Sequence, residues 1–326
     1  MKVLQHYLKV ILAIGIALIA VAWLMTKIEL DQVIEQLNNL PIHSLFIGFA
    51  CYLFFVATKA SRFGAILGLD RSILALFPIF SIHTFLSNIL PFRSADLSYL
   101  YMIKKEESVG SSSGVISLIL ASVIDLSLIL AILAITSFFA GIANLSYVFL
   151  FYLPIFCSLA FILMLIIVGR LASKPMFPLR SFLENLLINT RLDFLVSRWC
   201  LPILDNLWTS LTNPQIRKRQ LSIWALSILS LFVRFSFQAY LIHLMASDLS
   251  ISEIIFALSF TNLCNLLPIQ SVGNLGTIEI PFTWALITCH IPFETALTIG
   301  LSLHFIILTY ATLVGLIGWV SHNWPK

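Results

Sequence analysis

"NILPFRSADL" at residues 88–97 and "NLLPIQSVGNLG" at residues 265–276 break long apolar runs in the same way. Both follow N-x-L-P-x-[RQ]-S, with Asn88, Pro91, Arg93 and Ser94 in the first copy and Asn265, Pro268, Gln270 and Ser271 in the second. The chain around them has 326 residues, 60% of them hydrophobic and only 10% charged, with a mean hydropathy of +1.00. Runs long enough to cross a bilayer recur from end to end, which excludes a soluble globular domain. They are continuous rather than alternating, which argues against a β-barrel. The composition therefore reads as an all-α polytopic membrane protein, one integral membrane domain over residues 1–326.

Full transmembrane helices are predicted at about 8–25, 43–61, 115–140, 147–169, 221–246 and 295–320. No small-x-small cleavage site follows the first, so it reads as a retained span rather than a signal peptide. Two further segments, about 73–103 and 254–290, are apolar but interrupted by the quoted stretches. Positive charge sets the orientation. Lys2 and Lys9 place the N-terminus in the cytoplasm, and the acids Glu29, Asp31 and Glu35 fit the outside. Arg62 and Arg71, read as following the second span, fall inside, and Lys104 and Lys105 ask for the same side. That is possible only if 73–103 enters the membrane and returns as a hairpin. With that choice the basic 170–220 loop lies in the cytoplasm and Asp248 and Glu253 lie outside. Segment 254–290 then becomes a second hairpin, entered from the outside, and both termini are cytoplasmic. The 170–220 segment carries Leu, Ile, Phe and Val at helical spacing between Arg and acids. It reads either as an amphipathic helix on the cytoplasmic interface or as a helix packed under the bundle.

Pro91 and Pro268 each remove a backbone donor and clash with the preceding turn. Backbone groups freed in this way inside a bilayer are tolerated only under a cover of protein or water. Two such breaks, entered from opposite sides, form the pattern of an inverted repeat around a central site. In the second copy Gly273 and Gly276, flanking Asn274, permit an irregular turn whose exposed amides suit an anionic group such as a phosphate.

Charges at membrane depth cost several kcal/mol unless paired or hydrated. Arg93 and Asp96 follow the first break, Glu279 follows the second, and Asp125 and Arg234 lie mid-span. They read either as structural pairs, Asp125 with Arg234 for example, or as a polar cavity in which Arg93 and Arg234 attract a lipid phosphate through bidentate hydrogen bonds. Lys59 is expected to snorkel from its span end. His83, His243, His290 and His304 stand alone in sequence, and the five scattered cysteines read as packing residues, so no metal or other cofactor is expected. The formal net charge of +4 fits topology rather than nucleic-acid binding. No P-loop, HExxH or Gly-rich dinucleotide turn is present.

"LPFRSADLSYLYMIKKEES" (90–108), "ASVIDLSL" (121–128) and "LLPIQSVGNLGTIEIPFTWAL" (266–286) together resemble the membrane region of the lysylphosphatidylglycerol synthase/flippase family, the multiple peptide resistance factor type. That family shows LP-x-R-x-G-E, a downstream helix carrying Arg and Asp, and a late P-x-x-x-G-G-x-G-x-x-E stretch. Pro91, Arg93 and Asp96 fall on the first motif, Asp125 on the helix acid, and Pro268, Gly276 and Glu279 on the last. Here Ala95 stands for the usual Gly and Asp96 for the usual Glu. No Arg precedes Asp125, Asn274 interrupts the Gly pair after Gly273, and His304 occupies a position where Arg is frequent. These departures bear on the substrate more than on the fold. The resemblance implies lipid translocation; the family's soluble aminoacyl-transferring domain is not expected within 326 residues.

The leading expectation is an inner-membrane lipid flippase, acting as a scramblase or driven by an ion gradient. Arg93 and Arg234 would neutralise a headgroup phosphate, and Asp96, Asp125 and Glu279 would balance charge. Asn88, Pro91, Asn265, Pro268, Gln270, Gly273, Asn274 and Gly276 would shape the site. Two other readings remain open: a membrane transferase on a phospholipid or polyprenyl-linked substrate with Asp96 or Glu279 as base, and an accessory protein that presents lipids to an enzyme. The expected partners are membrane lipids, with a second copy of the chain or a lipid-modifying enzyme as protein partner.

Overall fold

The computed structural model describes residues 30–69, 73–107, 109–141, 214–267 and 270–323. The predicted spans at 8–25 and 147–169 lie outside the described residues, as do Pro268 and the 170–220 segment except for its last residues. Among the described residues the structure is helical, without strands. The helices are α1 (Leu30–Asn38), α2 (Ile42–Leu67), α3 (Ile73–Ile89), α4 (Ala95–Glu107), α5 (Ser111–Phe139), α6 (Pro214–Met245), α7 (Ile251–Asn265), α8 (Glu279–Thr288) and α9 (Phe293–Asn323). Among the described residues four stretches are long and apolar enough to cross a membrane: Ile42–Leu67, Ser112–Phe139, Lys218–Met245 and Phe293–His322. They coincide with four of the predicted spans.

Local chemistry sets the boundaries. Pro41 stands in extended conformation before α2, where its missing donor costs nothing, and Gly68 ends the helix at φ 72°. Ser250 opens α7 with a capping box: its hydroxyl accepts from the Glu253 amide, and the Glu253 carboxylate accepts from the Ser250 amide. The two interrupted segments become pairs of half-length helices, α3–α4 and α7–α8, as the sequence predicts. Helix α4 runs back along α3, because Asp96 meets His83 and Tyr99 meets Phe80 three residues earlier. In the other pair Trp284 of α8 packs on Phe260 of α7.

The packing is unchanged when α2–α5 and α6–α9 are exchanged. Helix α2 packs on its equivalent α6, and α3 packs on α9 just as α7 packs on α5. Each half-helix pair packs on the long helix that follows it. Helices α2 and α6 are antiparallel: the Ser44 hydroxyl lies 3.0 Å from that of Tyr240, and Arg219 donates to the Leu69 carbonyl at 3.3 Å. Equivalent spans that run in opposite directions make the repeat an inverted one.

In lipid, close approach rather than water exclusion holds helices together, so small residues sit at the contacts. A Cβ at Gly318 would lie 2.5 Å from that of Ser81, and one at Gly315 would lie 2.6 Å from that of Phe85, so α9 closes tightly on α3. Gly48 gives the same room to the Tyr310 ring, whose hydroxyl donates to the Leu45 carbonyl at 2.6 Å. Two aromatic clusters fill the interior, Phe49–Tyr52–Phe237–Tyr310 and Phe63–Phe80–Tyr99.

One sequence expectation is corrected here. Arg62 does not follow the second span; it lies inside α2, which continues to Leu67. The Asp125 carboxylate compensates its charge, so the helix need not end before it.

Candidate functional site

The two breaks meet. Phe92 donates its N–H to the Gln270 carbonyl at 3.0 Å, and the Asn274 side-chain amide donates to the Ser87 carbonyl at 3.2 Å. Arg93 reaches the Leu266 carbonyl at 3.5 Å. Each break has left-handed backbone at non-glycine residues: Phe92 (φ 55°) and Arg93 (φ 54°) in the first, Asn274 (φ 54°) in the second, where Gly273 and Gly276 have φ 65° and 79°. Asparagine and glycine take that conformation at low cost, whereas Phe and Arg do not. Bonds across the breaks compensate the strain in the first.

Around this junction lies a polar cavity of about 240 Å³. Its charged lining comes from α2 (Lys59, Arg62), the first hairpin (Arg93, Asp96), α5 (Asp125) and α6 (Arg234). Asn88, Asn265, Gln270 and Asn274 line it from the breaks, with Gln238 and Asn262 from α6 and α7. Most of the predicted site residues therefore converge. Pro91 forms the break without lining the cavity, and neither Gly273 nor Gly276 lines it.

Glu279 also stands apart. It is fully buried; one oxygen accepts from the Gly276 N–H at 2.7 Å, and the other meets Nδ1 of His304 at 2.5 Å. This carboxylate braces the second break from behind. His304 is thus no lone histidine: it supplies the donor its neighbouring carboxylate needs.

The charged groups fall into three sets. Arg62 holds Asp125 through both ends of its guanidinium, with Nη2 to Oδ2 at 3.1 Å. Of the two readings of these charges, the Asp125–Arg234 pair is not formed, because α2 brings a fork-shaped donor directly onto the carboxylate. Next comes a chain from Lys59 through His83 to Asp96. Lys59 Nζ donates to His83 Nδ1 at 3.4 Å and to the Thr84 hydroxyl at 3.3 Å. That places the His83 proton on Nε2, which donates to Asp96 Oδ1 at 3.1 Å. Lys59 does not snorkel; it points into the cavity. The third set is Arg93 and Arg234, which have no carboxylate partner among the described residues. Arg234 lies over the Phe55 ring, 5.8 Å from its centroid.

Sequence reading missed Lys59, Arg62, His83, Gln238 and Asn262 as lining residues. Spacing carried a signal. Tyr52, Phe55, Lys59 and Arg62 form one stripe along α2, and Ser230, Arg234 and Gln238 form one along α6 at intervals of four.

Beside the cavity an apolar groove of about 740 Å³ opens between α5, α6 and α7. Leu231 lines both. The equivalent position across the repeat is the α3–α9 contact, which the glycines close.

The family model for the lysylphosphatidylglycerol synthase TM region matches residues 10–315. No individual curated protein matches the chain, and no solved structure does.

Proposed function

The chain belongs to the lysylphosphatidylglycerol synthase TM-region family, and from that premise we propose that it carries lipid headgroups across the bilayer through the central cavity. Family membership gives the coarser statement, an integral membrane protein with a lipid-related function. The observation that carries the finer one is a cation-rich cavity at the junction of two broken hairpins in an inverted repeat. Broken helices that meet inside such a repeat are the arrangement used for alternating access. Arg93 and Arg234 bind the headgroup phosphate, and the acyl chains pass along the groove beyond Leu231. The groove lies on the α5–α7 side of the repeat, and transport exchanges it with the equivalent α9–α3 side, where Gly315 and Gly318 bring the helices close. Both termini lie in the cytoplasm, with the chain in the plasma membrane.

The transferase reading has less support. A general base must present a free lone pair to its substrate; of the two candidate bases, Glu279 is fully buried with both oxygens engaged, and one oxygen of Asp96 is taken by His83.

The test is reconstitution of the purified chain in liposomes with headgroup-labelled phospholipids, following exposure of the label at the outer leaflet. Movement that depends on the protein and slows in Arg93→Ala is expected. No movement by the pure protein, with the variant indistinguishable from it, overturns the proposal.

A further inference from the structure

The charges lining the cavity do not balance. Arg62 and Asp125 cancel through their two-pronged contact. Among the described residues Asp96 is the one carboxylate left on the lining, against Lys59, Arg93 and Arg234. These three cations come from α2, the first break and α6, so they face the cavity from different sides. The bonds that Lys59 and Arg93 make are to neutral groups: His83, Thr84 and the Leu266 carbonyl. Arg234 rests on an aromatic face. The remaining predicted spans carry no counter-charge, because residues 1–28 and 142–183 contain no Asp or Glu. An excess of two positive charges at this depth costs several kcal/mol unless an anion or water compensates it.

We propose that the cavity selects a dianionic terminal phosphate, a phosphomonoester or diphosphate on a lipid, and excludes headgroups that carry an amine. This deepens the flippase reading and rests on it. A singly charged phosphodiester leaves one positive charge uncompensated. A lysyl headgroup brings two ammonium groups toward three cations, so the lipid after which the family is named is the wrong cargo for this lining. The side-chain amides of Gln238 and Asn265 face the cavity, and each has an oxygen without a hydrogen-bond partner. Either amide can turn its nitrogen inward and add donors to phosphate oxygens.

Native mass spectrometry of the full chain, purified in detergent, reads this directly. The chain is titrated separately with phosphatidic acid, a polyprenyl phosphate, phosphatidylglycerol, lysylphosphatidylglycerol and inorganic phosphate. The two monoester lipids are expected to be retained by about tenfold or more over phosphatidylglycerol, with lysylphosphatidylglycerol weakest. Which of the two binds better tells a glycerolipid cargo from a polyprenyl one. Arg234→Gln and Lys59→Gln should each shrink the preference for monoester over diester. The preference itself is read on the unaltered chain, so it does not depend on how the variants fold. Equal retention of phosphatidylglycerol, or preference for the lysyl lipid, overturns the charge selection and leaves lipid transport standing. Retention of inorganic phosphate without either monoester lipid overturns the lipid as its source. Retention of no lipid at all overturns both this inference and the transport reading.

Discussion

Arg62 and Asp125 lock α2 to α5 through a two-pronged ion pair, and that pair is what allows an arginine to sit inside a membrane-depth helix. Its side chain is 5% exposed and that of Asp125 is 27% exposed. Removing one partner from such a pair leaves an uncompensated charge, at about 3–5 kcal/mol. Asp125→Asn is therefore expected to lower the melting temperature of the purified protein sharply. Arg62→Gln combined with Asp125→Asn should recover part of that loss, since no lone charge remains. If the double variant melts no higher than Asp125→Asn, the pair is not the cause.

Asn274 does two jobs in the second break: it accepts left-handed backbone, and it donates to Ser87 across the junction. Asn274→Ala loses both and should cost about 1–3 kcal/mol. Asn274→Gly keeps the backbone and loses only the bond, so it should melt between alanine and wild type. Identical melting of the two variants would show that backbone strain plays no part.

The hairpins fix which loops share a face. Helix α4 returns along α3, and the chain just before α3 touches the start of α6 at Leu69 and Arg219. In a chain stripped of its native cysteines, Lys105→Cys and Lys218→Cys should label from one side of sealed vesicles and Ser250→Cys from the other. Labelling of positions 105 and 218 from opposite sides would rule out the first hairpin.

Ala239 lines the apolar groove but not the cavity. Ala239→Trp should fill the groove and slow lipid movement by about tenfold, or 1.4 kcal/mol of barrier. The control is an unchanged melting temperature. A well-folded variant that moves lipid at the wild-type rate removes the groove from the route.

The broken hairpins were legible in the sequence because proline, asparagine and charge inside an apolar run are sharp local signals. Arg93, Arg234 and Asp125 were legible for the same reason: each is costly where hydropathy places it. Lys59 and Arg62 were not. Hydropathy ends a helix at its first strong charges, and nothing within α2 tells that Asp125, on another helix, will compensate the second. His83 and His304 were hidden likewise, since their partners stand 13 and 25 residues away and spacing alone gives no direction. Glu279 shows the opposite error. Its place in the motif was plain, but only tertiary structure turns its carboxylate toward His304 and Gly276 rather than the cavity.

The bond from Phe92 to the Gln270 carbonyl also sets an order of manufacture. A backbone N–H left bare in hydrocarbon costs several kcal/mol, and the partner of Phe92 is synthesised 178 residues later. At about 5–20 residues per second, the wait is roughly 9–36 s. Throughout it the first hairpin has a break it cannot close, and it must shelter against insertion machinery or at the wet interface until the second arrives. The N-terminal half is thus an unfinished object on its own, and the two halves mature in a single late step.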